Sequence, residues 1–251
     1  PMPTAKPLDI QKAAAKVMGQ REAVLNIRAL EAMGVEVKYH AVDISDEHAV
    51  KKIVSGYERI DGIIHAAGLE ISQLIAKKDM GTFNAVFDTK VEGVKNLVSS
   101  LEGKSYRWFI GFSSVAARFG NEGQCDYSSA NETLTRVLQS QKRRFAERVY
   151  KVFDWTAWGA VGMATKESVM KVLTAQGVEL LPVKTGVRFF MDDLFDAAED
   201  EVVIANVMPG FDRDGIISLK RPGDGTNETP FLGCVIDENA ERASFLRTLD
   251  M

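Results

Sequence analysis

Short apolar runs alternate with longer segments of helical pattern, and this alternation restricts the fold of the chain more than any other feature. The runs that are typical of strands are residues 60–66, 108–112, 149–155 and 201–205. The helical patterns cover residues 80–101, 124–144, 166–176 and 183–198. Strands that are joined by helices pair in parallel, because a parallel pair needs a long crossover connection. The pattern therefore predicts an α/β fold in which a doubly wound parallel sheet carries helices on both faces.

The two ends of the chain differ from this repeating part. Asp9 is placed to cap an Ala-rich helix that continues to Met33, and the alternating residues 35–42 are typical of a strand. Asp46 is placed to open a further short helix. Residues 209–230 are rich in glycine and proline, which favours a loop or linker. We therefore predict three parts, which are a helical insert or linker (1–33), a core (34–208) and a C-terminal linker toward a following domain (209–251).

Composition and charge argue against several classes of protein. The formal net charge of -4 comes from interspersed acids and bases, without the basic stripe that binds a nucleic-acid backbone. No apolar run approaches the roughly 20 residues that span a bilayer, and no signal-peptide core is present. Cys125 and Cys234 are far apart and lack a histidine cluster at metal-ligand spacing. We expect a soluble, cytoplasmic protein with no nucleic-acid partner, no membrane and no metal site.

Residues with suitable chemistry lie where the predicted strands end. Ligands of doubly wound sheets bind at the carboxyl ends of the strands, so these positions are the candidates for a site. The candidates are Asp43, Ile44, Ala66, Ala67, Gly68, Ser114 and, on neighbouring helices, Lys90, Tyr127 and Asn131. Serine and tyrosine hydroxyls can hydrogen-bond and protonate a carbonyl oxygen that receives a hydride. Taken singly, each candidate also has an ordinary structural role, such as a helix cap or a solvated charge.

The spacing of four of these residues carries a family resemblance. Ser114 precedes Tyr127 by thirteen residues, Asn131 follows Tyr127 by four, and Lys90 lies on the preceding predicted helix. Residues 34–194 resemble the short-chain dehydrogenase/reductase superfamily, and within it the ketoreductase domains of polyketide and polyunsaturated fatty-acid synthases. Ordinary members of the superfamily carry a lysine at the position of Asn131, whereas the synthase ketoreductases exchange the lysine and the asparagine. The resemblance implies a Rossmann-like fold with a catalytic core.

The resemblance also implies a reaction. A β-ketoacyl thioester on an acyl carrier protein is reduced to the β-hydroxyacyl form with NADPH, and the partners are the carrier and other domains of the same synthase. Tyr127 would donate a proton and Ser114 would hold the carbonyl oxygen. Lys90 and Asn131 would order the ribose and a water chain, and the Lys90 ammonium would lower the pKa of Tyr127 from about 10. The residues implied to bind the cofactor are Asp43 and Ile44 at the adenine, Ala66, Ala67 and Gly68 along its backbone, and Lys90 and Tyr127.

The chain departs from this family near its ends. No G-x-G-x-x-G turn precedes Asp43, although a nicotinamide-binding fold has such a turn after its first strand. Residues 3–22 resemble instead the helical insert that follows this unit in iterative synthases, and residues 230–251 resemble a linker toward a dehydratase-like domain. We expect that the N-terminal β-α-β unit is missing by truncation and that this chain alone binds the cofactor weakly.

Two other functions remain open at this point. A non-catalytic structural domain of a megasynthase would resemble the sheet but lack the four spaced residues. A free-standing reductase of a small ketone or sugar would carry a lysine in place of Asn131. His65 is expected to be a structural residue at a strand end, whereas Arg118 and Phe119 are expected either to face the substrate or to close a loop.

Overall fold

The computed structural model describes residues 6–159, 161–162, 170, 175, 178–194, 199–205 and 243–246. The chain divides into two compact units, Pro1–Val42 and Asp43–Met251. In the first unit, helix α1 spans Pro7–Ala32 with Lys6 as its N-cap. The helix begins before the predicted cap, Asp9, because a proline at the first helical position has a helical φ angle and needs no partner for an N–H group.

The prediction of a strand at residues 35–42 is wrong. All of these residues are described, and none of them lies in a strand. Val35, Tyr39 and Val42 are exposed, so the alternation of apolar and polar side chains has no buried face that would stabilise a strand.

Five strands form one sheet in the second unit. They are β1 Gly62–His65, β2 Trp108–Ser114, β3 Val149–Trp155, β4 Glu201–Ala205 and β5 Ala243–Leu246. Their order in the sheet is β1-β2-β3-β4-β5; the first four strands are parallel and β5 is antiparallel to β4. The prediction of a linker at residues 209–251 is therefore wrong for residues 243–246, which pair with β4. The rest of that segment lies outside the described residues.

Helices connect these strands at nearly the predicted positions. They are α2 Glu47–Ser55, α3 Met80–Ser100, α4 Val115–Phe119, α5 Cys125–Arg144 and α6 Val183–Asp193, with a 3₁₀ turn at Ile75–Lys77. Asp46 caps α2 as predicted, because its carboxylate accepts a hydrogen bond from the backbone N of Ala49 at 3.0 Å. The helix predicted at residues 166–176 lies outside the described residues, apart from positions 170 and 175. No described helix is both long and apolar enough to cross a membrane.

The strands bury an apolar cluster on each face of the sheet, because successive side chains of a strand point to opposite sides. On one face, Phe109 and Val152 pack in a cluster with Leu138 of α5. On the other face, Ile110 packs in a cluster with Phe189 of α6. Helices thus cover both faces, and the predicted α/β, Rossmann-like doubly wound architecture is confirmed.

Candidate active site

Ser114, Tyr127 and Asn131 come together at the carboxyl end of β2. Ser114 ends the strand and caps α4, where its Oγ accepts a hydrogen bond from Ala116 N at 3.2 Å. The chain then returns through Gly123, whose φ of 77° favours glycine, and enters α5. Tyr127 and Asn131 are four residues apart on this helix and therefore share one face. Asn131 Nδ2 donates a hydrogen bond to the backbone carbonyl oxygen of Tyr127 at 2.8 Å, and the side chains of Ser114 and Asn131 lie close enough to the Tyr127 phenol to influence its pKa.

The pKa of the Tyr127 phenol is raised above its ordinary value. Burial is the main cause, and the Glu70 carboxylate adds to the rise, whereas the hydrogen bonds from Ser114 and Asn131 lower the pKa. The prediction that Lys90 lowers the pKa of Tyr127 is therefore wrong, because burial outweighs the groups that favour the phenolate. A phenol with a raised pKa stays protonated at neutral pH, which is the form that a proton donor requires.

Lys90 lies buried on α3 and ties this helix to the end of β2. Its Nζ donates a hydrogen bond to the carbonyl oxygen of Phe112 at 2.7 Å. Burial lowers the pKa of Lys90 to about 8, so the ammonium is still the main form at neutral pH. A Cβ atom at position 68 would lie 3.1 Å from Cε and 3.3 Å from Nζ of Lys90. Gly68 thus lets the segment that follows β1 approach Lys90 closely.

Asp43 and Ile44 precede α2 and make different contacts. Asp43 is exposed, and its Oδ1 accepts hydrogen bonds from the N and Oγ of Ser45 at 2.9 and 2.7 Å, which lowers the pKa of Asp43. Ile44 packs against the core, and its carbonyl oxygen accepts a hydrogen bond from Asn96 Nδ2 at 3.1 Å. Ile44 also lies against Gly93, one turn after Lys90. Ile44 is therefore near the predicted site, while Asp43 is held by its own turn.

His65 is a structural residue, as predicted. Its buried Nε2 lies 3.0 Å from the carbonyl oxygen of Lys90. Burial and the charge of Lys90 lower the pKa of His65 to about 4. The ring is therefore neutral at physiological pH, and its hydrogen bond holds β1 to α3.

The described residues contain groups that fit the nicotinamide and ribose end of a dinucleotide. The Oδ1 atom of Asn131 is buried and has no hydrogen-bond partner, although a buried amide oxygen requires a donor. A ribose hydroxyl or an ordered water is a donor of the right kind. At Gly68 the absence of a Cβ atom allows the Lys90 side chain to lie against the backbone that follows β1. Within the described residues, no G-x-G-x-x-G turn is present to hold a pyrophosphate.

Two buried ionic contacts near the site were missed by the sequence analysis. Lys78 Nζ lies 2.6 Å from Asp126 Oδ1, next to the site tyrosine. Arg118, expected to face substrate or to close a loop, is instead buried and contacts the buried carboxylates of Asp154 and Glu201. The hydrogen-bonded partners are 48 and 83 residues apart, so no local spacing links them. The sequence did contain one signal, since Asp154 and Glu201 are acidic residues in largely apolar strands, and a buried carboxylate needs a cationic partner.

Comparison with known proteins identifies the family. The family model described as the KR domain matches residues 11–160. One subunit of the polyunsaturated fatty acid synthase of Thraustochytrium sp. is 31% identical over 212 residues, which cover 82% of this chain and 7% of that protein. The crystal structure of a ketoreductase domain from the bacillaene assembly line has a TM-score of 0.64 and 28% identity, and covers 70% of this chain and 44% of the other.

A more distant structure supports the fold alone. A short chain dehydrogenase from Burkholderia cenocepacia J2315, solved in complex with NADP, has a TM-score of 0.60 and 14% identity, and covers 69% of this chain and 75% of the other. Members of this superfamily bind nicotinamide cofactors. The chain spans only a small part of the curated relatives that it matches, with shares of 7%, 9% and 4% of the length of three of them. From its fold, its spacing of site residues and these matches, the chain belongs to the KR domain family, the ketoreductase domains of polyketide and polyunsaturated fatty-acid synthases within the short-chain dehydrogenase/reductase superfamily.

Proposed function

We propose that this chain reduces the β-keto group of a β-ketoacyl thioester, carried by an acyl carrier protein, to a β-hydroxyl with NADPH. The observation that carries the proposal is the arrangement around the end of β2. There, the side chains of Ser114 and Asn131 lie close enough to the Tyr127 phenol to lower its pKa, and Lys90 donates a hydrogen bond to the Phe112 carbonyl oxygen, two residues before Ser114. The serine and tyrosine hydroxyls suit the task of hydrogen-bonding a carbonyl oxygen and protonating it as it becomes an alkoxide.

Each residue then has a defined task. When bound, NADPH supplies a hydride for the carbonyl carbon. Ser114 donates a hydrogen bond to the carbonyl oxygen and holds it beside the phenol of Tyr127. Tyr127 transfers its proton to this oxygen as negative charge develops there. Because burial raises the pKa of Tyr127, the proton is retained until a stronger base, the developing alkoxide, takes it.

Asn131 and Lys90 complete the proton path and the cofactor site in this proposal. The unpartnered Oδ1 of Asn131 accepts a hydrogen bond from a ribose hydroxyl or from a water molecule. Lys90, whose pKa of about 8 keeps it mostly charged at neutral pH, supplies the proton that restores Tyr127 through such a water. The small residues after β1 let the backbone of the cofactor approach closely; they are Ala66, Ala67 and Gly68. The adenine is contacted by Asp43 and Ile44.

The substrate and the carrier are inferred from the family. The curated relative with 31% identity is a subunit of a polyunsaturated fatty acid synthase, and the bacillaene ketoreductase belongs to an assembly line. Both names describe multistep synthesis, in which acyl intermediates are passed between domains. We therefore propose an acyl carrier protein and other domains of the same synthase as partners, in the cytoplasm.

The test is NADPH oxidation with a simple β-ketoacyl thioester, followed by absorbance of the reduced nicotinamide. We expect turnover by the full-length wild-type protein and a loss of about 100-fold or more in Tyr127→Phe, because general acid catalysis contributes about 10²- to 10⁴-fold. Tyr39→Phe is the matched control, since Tyr39 is exposed. We expect it to leave the rate unchanged.

The same experiment decides between the proposal and the structural alternative. If the wild-type protein binds NADPH but never oxidises it with any β-ketoacyl thioester, the chain is a non-catalytic domain. If Tyr127→Phe retains the wild-type rate, the proton donor has been assigned wrongly.

A further inference from the structure

A buried ion pair lies at the start of α5, the helix that carries Tyr127. Lys78 Nζ is 2.6 Å from Asp126 Oδ1, and the two side chains are 2% and 1% exposed. The same Oδ1 atom accepts a hydrogen bond from the backbone N of Tyr127 at 2.9 Å. Lys78 also donates to the carbonyl oxygen of Ile71 at 2.9 Å. One carboxylate oxygen therefore joins a lysine from another segment to the backbone of Tyr127.

The segment that supplies Lys78 is attached to the same region at two further points. We call residues 69–78, which follow β1, the latch loop. The backbone N of Gln73 donates to the carbonyl oxygen of Gly123 at 2.9 Å. The side chain of Gln124 donates to Glu70 at 3.1 Å and to Ser72 at 3.2 Å. The latch loop is thus bound to the turn that leads into α5, with the buried ion pair as its deepest attachment.

The latch loop also reaches the reacting group electrostatically. Glu70 lies at the start of the loop, and its carboxylate raises the pKa of Tyr127. A change in how the loop sits on α5 would therefore alter both the position of the Tyr127 backbone and the charge near its phenol. The loop and the helix act on the same residue from two sides.

We propose that the Lys78–Asp126 pair is a positioning device, which holds the latch loop on α5 and fixes Tyr127 at the distance and angle that proton transfer requires. The proposal rests on the proposed function, because it assigns Tyr127 the role of proton donor. Lys78 and Asp126 are positioning residues and do not touch the substrate. A buried ion pair is a poor source of stability, since desolvation of both charges offsets their attraction. Asp126 Oδ1 instead contacts both Lys78 Nζ and the backbone N of Tyr127, and these directional contacts define one arrangement of the latch loop on α5.

A double-substitution series in the full-length protein distinguishes a positioning role of the Lys78–Asp126 pair from a contribution to stability alone. Lys78→Met leaves the Asp126 carboxylate buried without its cation, which destabilises the fold. Lys78→Met with Asp126→Asn removes both charges, and the amide oxygen of the asparagine can still accept the hydrogen bond from Tyr127 N. The matched control is Lys77→Met, which changes the exposed neighbouring lysine. The three readouts are the unfolding midpoint, kcat and KM for β-ketoacyl thioester reduction, and hydrogen exchange in peptides that cover residues 69–78 and 120–130.

We expect Lys78→Met to increase hydrogen exchange in both peptides and to lower kcat by about tenfold or more, because small misplacements of catalytic groups cost up to about 10²-fold. KM for NADPH should change by less than about twofold, since neither Lys78 nor Asp126 is among the residues assigned to the cofactor and the pair reaches that site only through the backbone N of Tyr127. The double variant should regain most of the wild-type unfolding midpoint but not the kcat. Lys77→Met should match the wild type in all three readouts.

Two results would overturn the positioning role. One is a double variant in which kcat recovers together with the unfolding midpoint, because the pair would then contribute stability alone. The other is a Lys78→Met variant with unchanged exchange in both peptides, because the loop would then be held without the pair. If the wild-type protein reduces no β-ketoacyl thioester, the proposed function fails, and the exchange data still decide whether the pair holds the loop to α5.

Discussion

Substitution of Arg118 is the sharpest test of how the core around the site is held together. The Arg118 side chain is only 6% exposed. Its guanidinium contacts the buried carboxylate of Glu201, lies 3.5 Å from Asp154 Oδ2 and lies 3.4 Å from Glu132 Oε2. These carboxylates come from β4, β3 and α5. Arg118→Met would therefore leave the carboxyl groups of three elements without their shared cation.

The expected loss of stability is large for a single substitution. Removing one partner of a buried ion pair costs about 3 to 5 kcal/mol. In a domain of about 150 to 250 residues, each kcal/mol lowers Tm by about 2 to 4 °C, so we expect Tm of Arg118→Met to fall by about 6 to 20 °C. The assay is thermal unfolding followed by circular dichroism.

Arg136→Met is the matched control, because Arg136 pairs with the same Glu132 at 2.7 Å but is 48% exposed. An exposed pair of this spacing contributes about 0.3 to 0.5 kcal/mol. The reasoning is refuted if the two single variants unfold at the same temperature. A second check is Glu201→Gln added to Arg118→Met, which removes one uncompensated charge and should recover part of the loss.

Three further predictions concern pH and close packing. Burial and the neighbouring Glu201 raise the pKa of Asp154, so the folded state binds an extra proton between the unfolded and the folded pKa. The free energy of unfolding should therefore fall as pH rises toward the folded pKa. Asp154→Asn should weaken this fall, as measured by Tm across the pH range. Because the pKa of Lys90 is about 8, kcat should decline as pH rises through about 8, and Lys90→Met should abolish this limb of the kcat profile. A Cβ atom on Gly62 would lie 2.0 Å from two ring atoms of Trp108. Gly62→Ala should therefore cost about 1 to 3 kcal/mol in denaturant unfolding, whereas Gly19→Ala, with no atom within 4 Å, should not destabilise the chain.

Much of the fold could be predicted because it depends on local patterns. Strand β3 was predicted with its observed bounds, Val149–Trp155, since this segment is apolar and bounded by polar residues. Asp46 was identified as a helix cap because the cap depends on neighbours in sequence. Strand β5 was missed because its pairing with β4 joins distant parts of the chain. Residues 35–42 carried the alternation of a strand, but the alternation alone does not create a partner or a buried face.

The candidate site shows the same division between local and distant information. The spacing of Ser114, Tyr127 and Asn131 identified residues that the fold brings together, because two of them share a helix face and the third ends the preceding strand. The pKa of Tyr127 was predicted in the wrong direction, since burial is a property of the whole fold and outweighs the neighbouring groups. The contact between Lys78 and Asp126 could not be predicted because 48 residues separate them.

The measurement that tests the central claim most directly is transfer of deuterium from NADPH deuterated at its reactive carbon to a β-ketoacyl thioester. The claim is that Tyr127 protonates the oxygen while hydride reaches the β-carbon. We predict that the wild-type protein forms a β-hydroxyacyl product with one deuterium on the β-carbon, and that Tyr127→Phe forms it about 100-fold or more slowly. A wild-type protein that gives no deuterated product, or a Tyr127→Phe variant that gives it at the wild-type rate, would contradict the account.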